Sequence, residues 1–428
     1  MQDTTLRRVA IIGGARIPFC RSNTAYAQQS NQAMLTAALN ALTDKYHLAG
    51  TTIDAVAAGA VLKHARDFNL TREAVLNSEL DAHTPCFDIQ QACDSSLQAT
   101  VQVANQIALG QIECGIAGGT DTASDVPIGV NEDLRRILLD LNRSQSKRER
   151  LKLLARLRPG QIIPELPAIT EAQTGLSMGE HCERMAQQWQ IARAAQDELA
   201  AASHANAARA YAEGFYDDLV FAYHGVGQDN NLRKDTSAAQ MARLHPAFDK
   251  KKGTLTAANS TPLSDGASTV LLASEDWAQA RGLPILAYFT PYARTAAVDF
   301  VNAGEGLLMA PAYAVSAMLD AAGLTLQDFD FYEIHEAFAA QVLCTLKAWE
   351  SQAYCRQTLG RDTALGAIDR SKLNVKGSSI ALGHPFAATG TRIVATLAKL
   401  LHENNGGRGL VSICAAGGQG VAAIIEKP

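Results

Sequence analysis

The sequence predicts an α/β protein with a duplicated core, on three observations. Short apolar β-like runs alternate along the 428 residues with longer segments of 3.6-residue periodicity, so strands feed helices. Three strand-to-helix junctions look alike: PCFDIQQA runs into Cys93, FDFYEI into His335 and SSIALG into His384, each followed by a helical pattern. A helix followed by a strand and AGG then occurs twice, with ECGIAGGTD and LVSICAAGGQG as the strands.

In chain order, RVAIIGG reads as the first strand, and after Cys93 the residues Leu97, Val101, Ala104 and Ala108 share one helical face. Residues 126 to 253 differ in character, with a charged stretch, Pro159, Pro164 and Pro167, and Ala-rich helices. They read as an insertion that carries binding functions. The expected division is residues 1–125 with a return segment 254–288, the insertion 126–253, and a second half 289–428. Within the insertion, residues 134–158 hold nine Lys/Arg against two acidic residues. Leu134, Ile137, Leu138 and Leu141 fall at helical spacing, Leu151, Leu154 and Leu157 mark a second amphipathic stretch, and NRSQS separates the two. A basic helical hairpin is expected. Its plainest reading is a solvated surface element; docking to a partner subunit, or to an anionic membrane or acyl carrier, are the alternatives. In the second half, AFAAQVLCTLKAW follows His335 and TRIVATLAKLL follows His384 as helices.

The composition, 47% hydrophobic and 19% charged, is that of an ordinary globular protein of two or three domains. A formal net charge of −5 gives no global attraction to nucleic acid. Eight scattered cysteines without a CxxC pair, and no signal-like apolar run before the first strand, favour a reducing compartment; the cytoplasm is expected. No stretch approaches the roughly 18 unbroken apolar residues of a membrane span.

Four residues carry chemistry. Cys93 precedes a helix, where free N–H groups and the positive dipole end favour a thiolate and hence a covalent thioester. A single cysteine is more often a core residue, and Asp94 beside it would oppose thiolate formation if it pointed at the sulfur. His384 sits in GHPFAATG, where Pro385 at a first helical position would fix the backbone and project the imidazole. His335 lies between Glu333 and Glu336, which raises a metal site, but no third ligand stands at helical spacing and no metal is expected. Cys414 ends an apolar strand before Ala415, Ala416, Gly417 and Gly418, a turn that lets a ligand approach and offers N–H groups to an oxyanion. GGAR near residue 14 lacks GxGxxG and no P-loop lysine is present, so nucleotide hydrolysis and NAD chemistry are not expected. Two thiols and two imidazoles in ligand-admitting turns point to thiol-based acyl transfer.

Taken together, Cys93, IHEAFAAQ, GHPFAATG and CAAGGQG resemble the thiolase family, and the match runs nearly end to end. TLTAANSTPLSDGAS and RVAIIGGARIPF look like thiolase segments too, and HEAFAAQ with CAAGGQG is nearest to the β subunits of fatty-acid-oxidation trifunctional complexes. The resemblance implies a thiolase fold, a five-layered αβαβα core with an inserted loop domain, and 3-ketoacyl-CoA thiolase activity. By the same likeness Cys93, activated by His384, attacks the 3-keto carbon; the Cα–Cβ bond breaks; Cys414 protonates the departing carbanion and later deprotonates coenzyme A. His335, in place of the usual Asn, would help His384 polarise the thioester oxygen, while the backbone N–H groups of Cys93 and Ala416 form a second oxyanion hole. Met178, Arg233 and Thr261 would contact coenzyme A, the co-substrate; no permanently bound cofactor is implied. A homodimer or tetramer is expected, with a hydratase and 3-hydroxyacyl-CoA dehydrogenase subunit as a partner and peripheral membrane contact through 134–158 as a further option. Asp94 stands where a small residue is usual and His245 in LHPAF where Arg is typical, and both bear on substrate choice. The competing readings are an acetoacetyl-CoA thiolase working in the biosynthetic direction, a decarboxylating ketoacyl synthase and a non-catalytic thiolase-like binding protein.

Overall fold

The computed structural model describes residues 6–428. Eleven strands are assigned in it: β1 (Val9–Arg16), β2 (Cys20–Arg21), β3 (Ala55–Ala58), β4 (Cys86–Asp88), β5 (Cys114–Asp121), β6 (Ser264–Ser274), β7 (Ala287–Phe289), β8 (Arg294–Ala297), β9 (Phe331–Ile334), β10 (Gly407–Ala415) and β11 (Gln419–Lys427). The main path through the sheet is β4-β3-β5-β6-β1-β7-β11-β10-β9, with β2 paired to β6 and β8 to β11. Its two halves mirror each other. In the first, β3 and β5 are parallel, β5 and β6 antiparallel; in the second, β9 and β10 are parallel, β10 and β11 antiparallel. The halves meet where β1 pairs with β7, Val9 opposite Phe289.

Strand alternation builds the layers, because successive side chains leave opposite faces of a strand. Ile11, Val270 and Leu272 of one half, and Val411, Ile413, Val421 and Ile425 of the other, share one buried cluster with the helices Ser95–Ala108 and Thr389–Glu403. Their neighbours turn the other way. Ala10, Ile12 and Leu271 pack under the helix Asn31–Tyr46, and Leu410, Ala422 and Ile424 under Ala310–Ala322. Helix, half-sheet, central helices, half-sheet and helix make the five layers expected of a duplicated core. Leu97 and Ala104 lie fully or almost fully buried in the central cluster, while Val101 is only partly covered.

The segment 126–253 contributes in two ways. Glu132–Arg143 and Lys147–Leu154 form the expected helical hairpin, capped at its start by Asn131. The second helix faces opposite to the expectation: Leu153 is buried, whereas Leu151 and Leu154 are exposed. Further along, the helix Arg193–Ala212 places Ala207 and Ala210 in the central cluster, so this segment also helps to build the core.

The junction that carries His384 departs from the sequence reading in two ways. SSIALG is not a strand: Ser379–Leu382 is a short helix. Its backbone partners are side chains rather than a neighbouring strand, since Ile380 N–H donates to Glu336 Oε2 and Asn231 Nδ2 donates to the Ile380 carbonyl. Pro385 is not at a first helical position either; it precedes a 3₁₀ turn, Phe386–Ala388, that leads into Thr389–Glu403.

Candidate active site

Cys93 is presented by a tight turn. Ala92 adopts φ +47°, a left-handed conformation rare for a residue with a Cβ, and Ser95 Oγ braces it by donating to the Ala92 carbonyl at 2.7 Å and accepting from Gln91 N–H at 2.9 Å. Strain of this kind persists where surrounding contacts enforce it. The sulfur ends up 3.2 Å from His384 Nε2, and His384 Nδ1 is held by Thr389 Oγ1 at 2.6 Å. The backbone N–H of Ala416 favours the ionised form of the Cys93 sulfur. The turn bearing Ala416 is possible because Gly417 and Gly418 take φ +76° and +72°. Gln91 and Gln419 bridge the two cysteine turns at 3.1 Å.

His335 lies beside this pair. Its ring centroid is 4.1 Å from that of His384, its backbone N–H donates to the Ser412 carbonyl, and its Nδ1 is 2.7 Å from Ser379 Oγ. Nitrogens of the two imidazoles and the Cys93 sulfur lie within 4.8 Å of one another. These are zinc-type ligands, brought together from positions far apart in the chain, which an argument from helical spacing around His335 does not register. Cys414, at the end of β10, is buried close enough for its ionisation to be opposed by Cys93 and Asp94. All four predicted chemical residues thus converge.

The electrostatics correct one expectation. Cys93 is not an activated thiolate at rest: burial, then the Asp94 carboxylate, push its pKa up to about 12, and the Ala416 N–H offsets only part of this. Burial and the Arg392 cation bring His384 down to about 3, and burial, His384 and Arg392 hold His335 well below the ordinary imidazole value. Burial also lifts Cys414, with Cys93 and Asp94 adding to it. Burial thus opposes charge on both the thiol and the imidazole that faces it. A helix start does not outweigh the partial burial of the sulfur and a neighbouring carboxylate.

A cavity of about 240 Å³ is lined among others by Arg21, His204, Arg233, Phe248, Thr261 and Ile380, the neighbour of Ser379. Arg233 and Thr261, two of the three expected coenzyme A contacts, line it, and Thr261 is tied to the His335 segment through the Ala337 carbonyl. Met178 does not line this cavity; it starts the helix Met178–Gln188 and packs against the buried cluster that holds Cys414 and Phe338. His245 is exposed. Sequence reasoning missed Arg21, Thr389, Ser379 and Arg392; an adjacent Ser-Ser pair before GHP was the one available signal for Ser379.

Family models agree with this geometry. "Thiolase, N-terminal domain" matches residues 9–276 and "Thiolase, C-terminal domain" residues 283–427. The chain belongs to the thiolase family. This thiolase is 42% identical over 425 residues, covering 98% of the chain and 97% of the relative, to 3-ketoacyl-CoA thiolases of Yersinia pestis (strain Pestoides F) and Yersinia pseudotuberculosis serotype O:1b (strain IP 31758). Among solved structures it is similar to human mitochondrial 3-ketoacyl-CoA thiolase in complex with CoA, with TM-score 0.81, 27% identity and 99% of each chain covered. It is also similar to the Bacillus anthracis acetyl-CoA acetyltransferase, with TM-score 0.80, 29% identity, and 99% and 100% covered.

Proposed function

We propose that this thiolase is a 3-ketoacyl-CoA thiolase that degrades fatty acyl chains, cleaving 3-ketoacyl-CoA with coenzyme A into acetyl-CoA and a shortened acyl-CoA. The observation that carries the reading is His384 Nε2 at 3.2 Å from Cys93 Sγ, with a second buried thiol, Cys414, alongside. His384 takes the Cys93 proton as the sulfur attacks the 3-keto carbon. The bond between the α and β carbons breaks, leaving the acyl group on Cys93 and a carbanion at the acetyl-CoA α carbon. Cys414 gives that carbon its proton, and then receives one from the thiol of incoming coenzyme A, which attacks the acyl-enzyme. His335 and His384 face the thioester oxygen on which the carbanion charge is delocalised; the N–H groups of Cys93 and Ala416 face the acyl oxygen.

Coenzyme A is a co-substrate in this scheme, and Arg233 and Thr261, with Arg21, are its proposed contacts in the adjoining cavity. Segment 126–253 is proposed as the loop domain that supplies Arg233 to that cavity, between a first half, 1–125 with 254–288, and a second half, 289–428. All eight cysteines are free, which fits a reducing compartment such as the cytoplasm. No helix among the described residues is long and apolar enough to cross a membrane. A homodimer or tetramer, with a hydratase and dehydrogenase partner subunit, completes the proposal.

The test is direct. With 3-ketoacyl-CoA and no coenzyme A, the wild type should accumulate an acyl adduct on Cys93 by mass spectrometry, and Cys93→Ala should show neither adduct nor thiolysis. Full thiolysis by Cys93→Ala would refute the covalent mechanism. A chain-length series separates the degradative reading from the biosynthetic one, which predicts activity confined to acetoacetyl-CoA.

A further inference from the structure

Behind His335 lies a buried chain of polar groups that the reaction as written does not use. Arg392, 1% exposed on the helix Thr389–Glu403, donates from Nη2 to Ser379 Oγ at 2.7 Å and from Nη1 to Ser378 Oγ at 3.3 Å. Ser378 Oγ in turn donates to the Ile334 carbonyl at 3.4 Å, and Ser379 Oγ lies 2.7 Å from His335 Nδ1. Glu333, 4.0 Å from Arg392, offers a counter-charge.

Proton accounting then fixes the imidazole. A guanidinium carries only N–H donors and stays charged, so Ser379 Oγ must accept from Arg392. The hydroxyl's single hydrogen is left to point at His335 Nδ1. Placing the proton on Nδ1 instead would strand a buried hydroxyl hydrogen without an acceptor. A neutral His335 therefore carries its hydrogen on Nε2, and Nε2 is buried with no protein partner, on the ring that adjoins Cys93 and His384.

We propose that Arg392 and Ser379 are positioning residues that hold His335 as the Nε2–H tautomer, so that the ring presents a donor rather than a lone pair to the reacting oxygen. The inference rests on the reading of His335 as an oxyanion donor. The opposite tautomer would set a lone pair against developing negative charge, so the effect falls on kcat more than on KM.

A double-mutant cycle with Ser379→Ala and His335→Asn tests it, because an Asn amide offers an N–H whatever Ser379 does. Ser379→Ala is expected to lower kcat about 10- to 100-fold with KM for coenzyme A changed less than about twofold, and to have almost no effect in the His335→Asn background. In ¹⁵N-histidine spectra the wild type should show His335 protonated at Nε2, and Ser379→Ala a mixture of tautomers. Should Ser379→Ala not fold, Ser379→Thr and Ser379→Cys repeat the comparison with the site filled: Thr keeps the wild-type kcat and Cys does not. Equal falls in both backgrounds, an unchanged tautomer in Ser379→Ala, or equal kcat for the Thr and Cys variants overturns the positioning role and leaves His335 as donor. Full kcat in His335→Ala overturns the underlying reading instead.

Discussion

The Asp94 carboxyl is completely buried, neither of its oxygens has a hydrogen-bond partner, and burial lifts its pKa well above the usual carboxylate range. Because it acts on both Cys93 and Cys414, its ionisation opposes both thiolates. Asp94→Ala should therefore move the alkaline rise of Cys93 alkylation by iodoacetamide to lower pH; an unmoved profile, read by peptide mass spectrometry, would place the carboxyl out of reach of the sulfur. The stability sign follows from the same shift. An unfolded Asp ionises near 3.9 while the folded one stays protonated, so the wild type loses stability as pH rises from about 3.9 toward the raised folded value. Asp94→Ala should flatten that slope in denaturant titrations across pH. The four side chains of the proposed reaction were legible in the sequence because Cys93, His384 and Cys414 stand beside small residues and His335 ends an apolar strand-like run. Ser379, Thr389, Arg392 and Arg21 were not, since their roles exist only through contacts such as Thr389 Oγ1 on His384 Nδ1.

At the scale of elements, periodicity was reliable where a helix packs one face against the core, as in Ser95–Ala108, and unreliable where side chains replace strand neighbours, as in Ser379–Leu382. The hairpin shows both outcomes. Its existence was legible, but the exposed side of its second helix was not, because Leu151, Leu153 and Leu154 are all apolar and only packing decides which is covered. The result is a basic element that buries Ile137 and Leu153 but turns other apolar residues outward: Leu151 is 71% exposed, and nearby Ile162, Ile163, Leu166 and Ile169 are exposed as well. Arg135 and Arg136 are partly neutralised by Glu132, which leaves Arg148, Lys152 and Arg156 as the better carriers of charge contacts. If the hairpin meets an anionic lipid surface, each basic residue contributes about 1 kcal/mol and binding weakens with salt. Co-sedimentation with vesicles containing anionic lipid should then be strong for the wild type and lost on charge reversal of these three residues. Retention of both vesicle binding and complex formation by the reversed variant would leave the hairpin a solvated surface element.

For the whole molecule, duplication explains why the site exists at all. Each half brings a reactive residue to the start of its central helix, Cys93 before Ser95–Ala108 and His384 before Thr389–Glu403, and neither half holds both. Their meeting depends on how closely the two central helices approach. A Cβ on Gly390 would fall 2.2 Å from the Leu97 nitrogen, and one on Gly119 would fall 2.0 Å from the Ala387 carbonyl oxygen, so the first-turn region of one helix is seated directly on backbone of the other half. Backbone cannot step aside as a flexible side chain can. Gly390→Ala should therefore force the helices apart near their active ends, costing about 1–3 kcal/mol of stability as overpacking and widening the 3.2 Å contact between His384 Nε2 and Cys93 Sγ. Because a misplacement of about 1 Å can cost on the order of 100-fold in rate, kcat should fall by more than the loss of stability explains. Measured well below the melting temperature, where both proteins are fully folded, a Gly390→Ala enzyme with wild-type kcat would show that the helix contact does not set the Cys93–His384 distance.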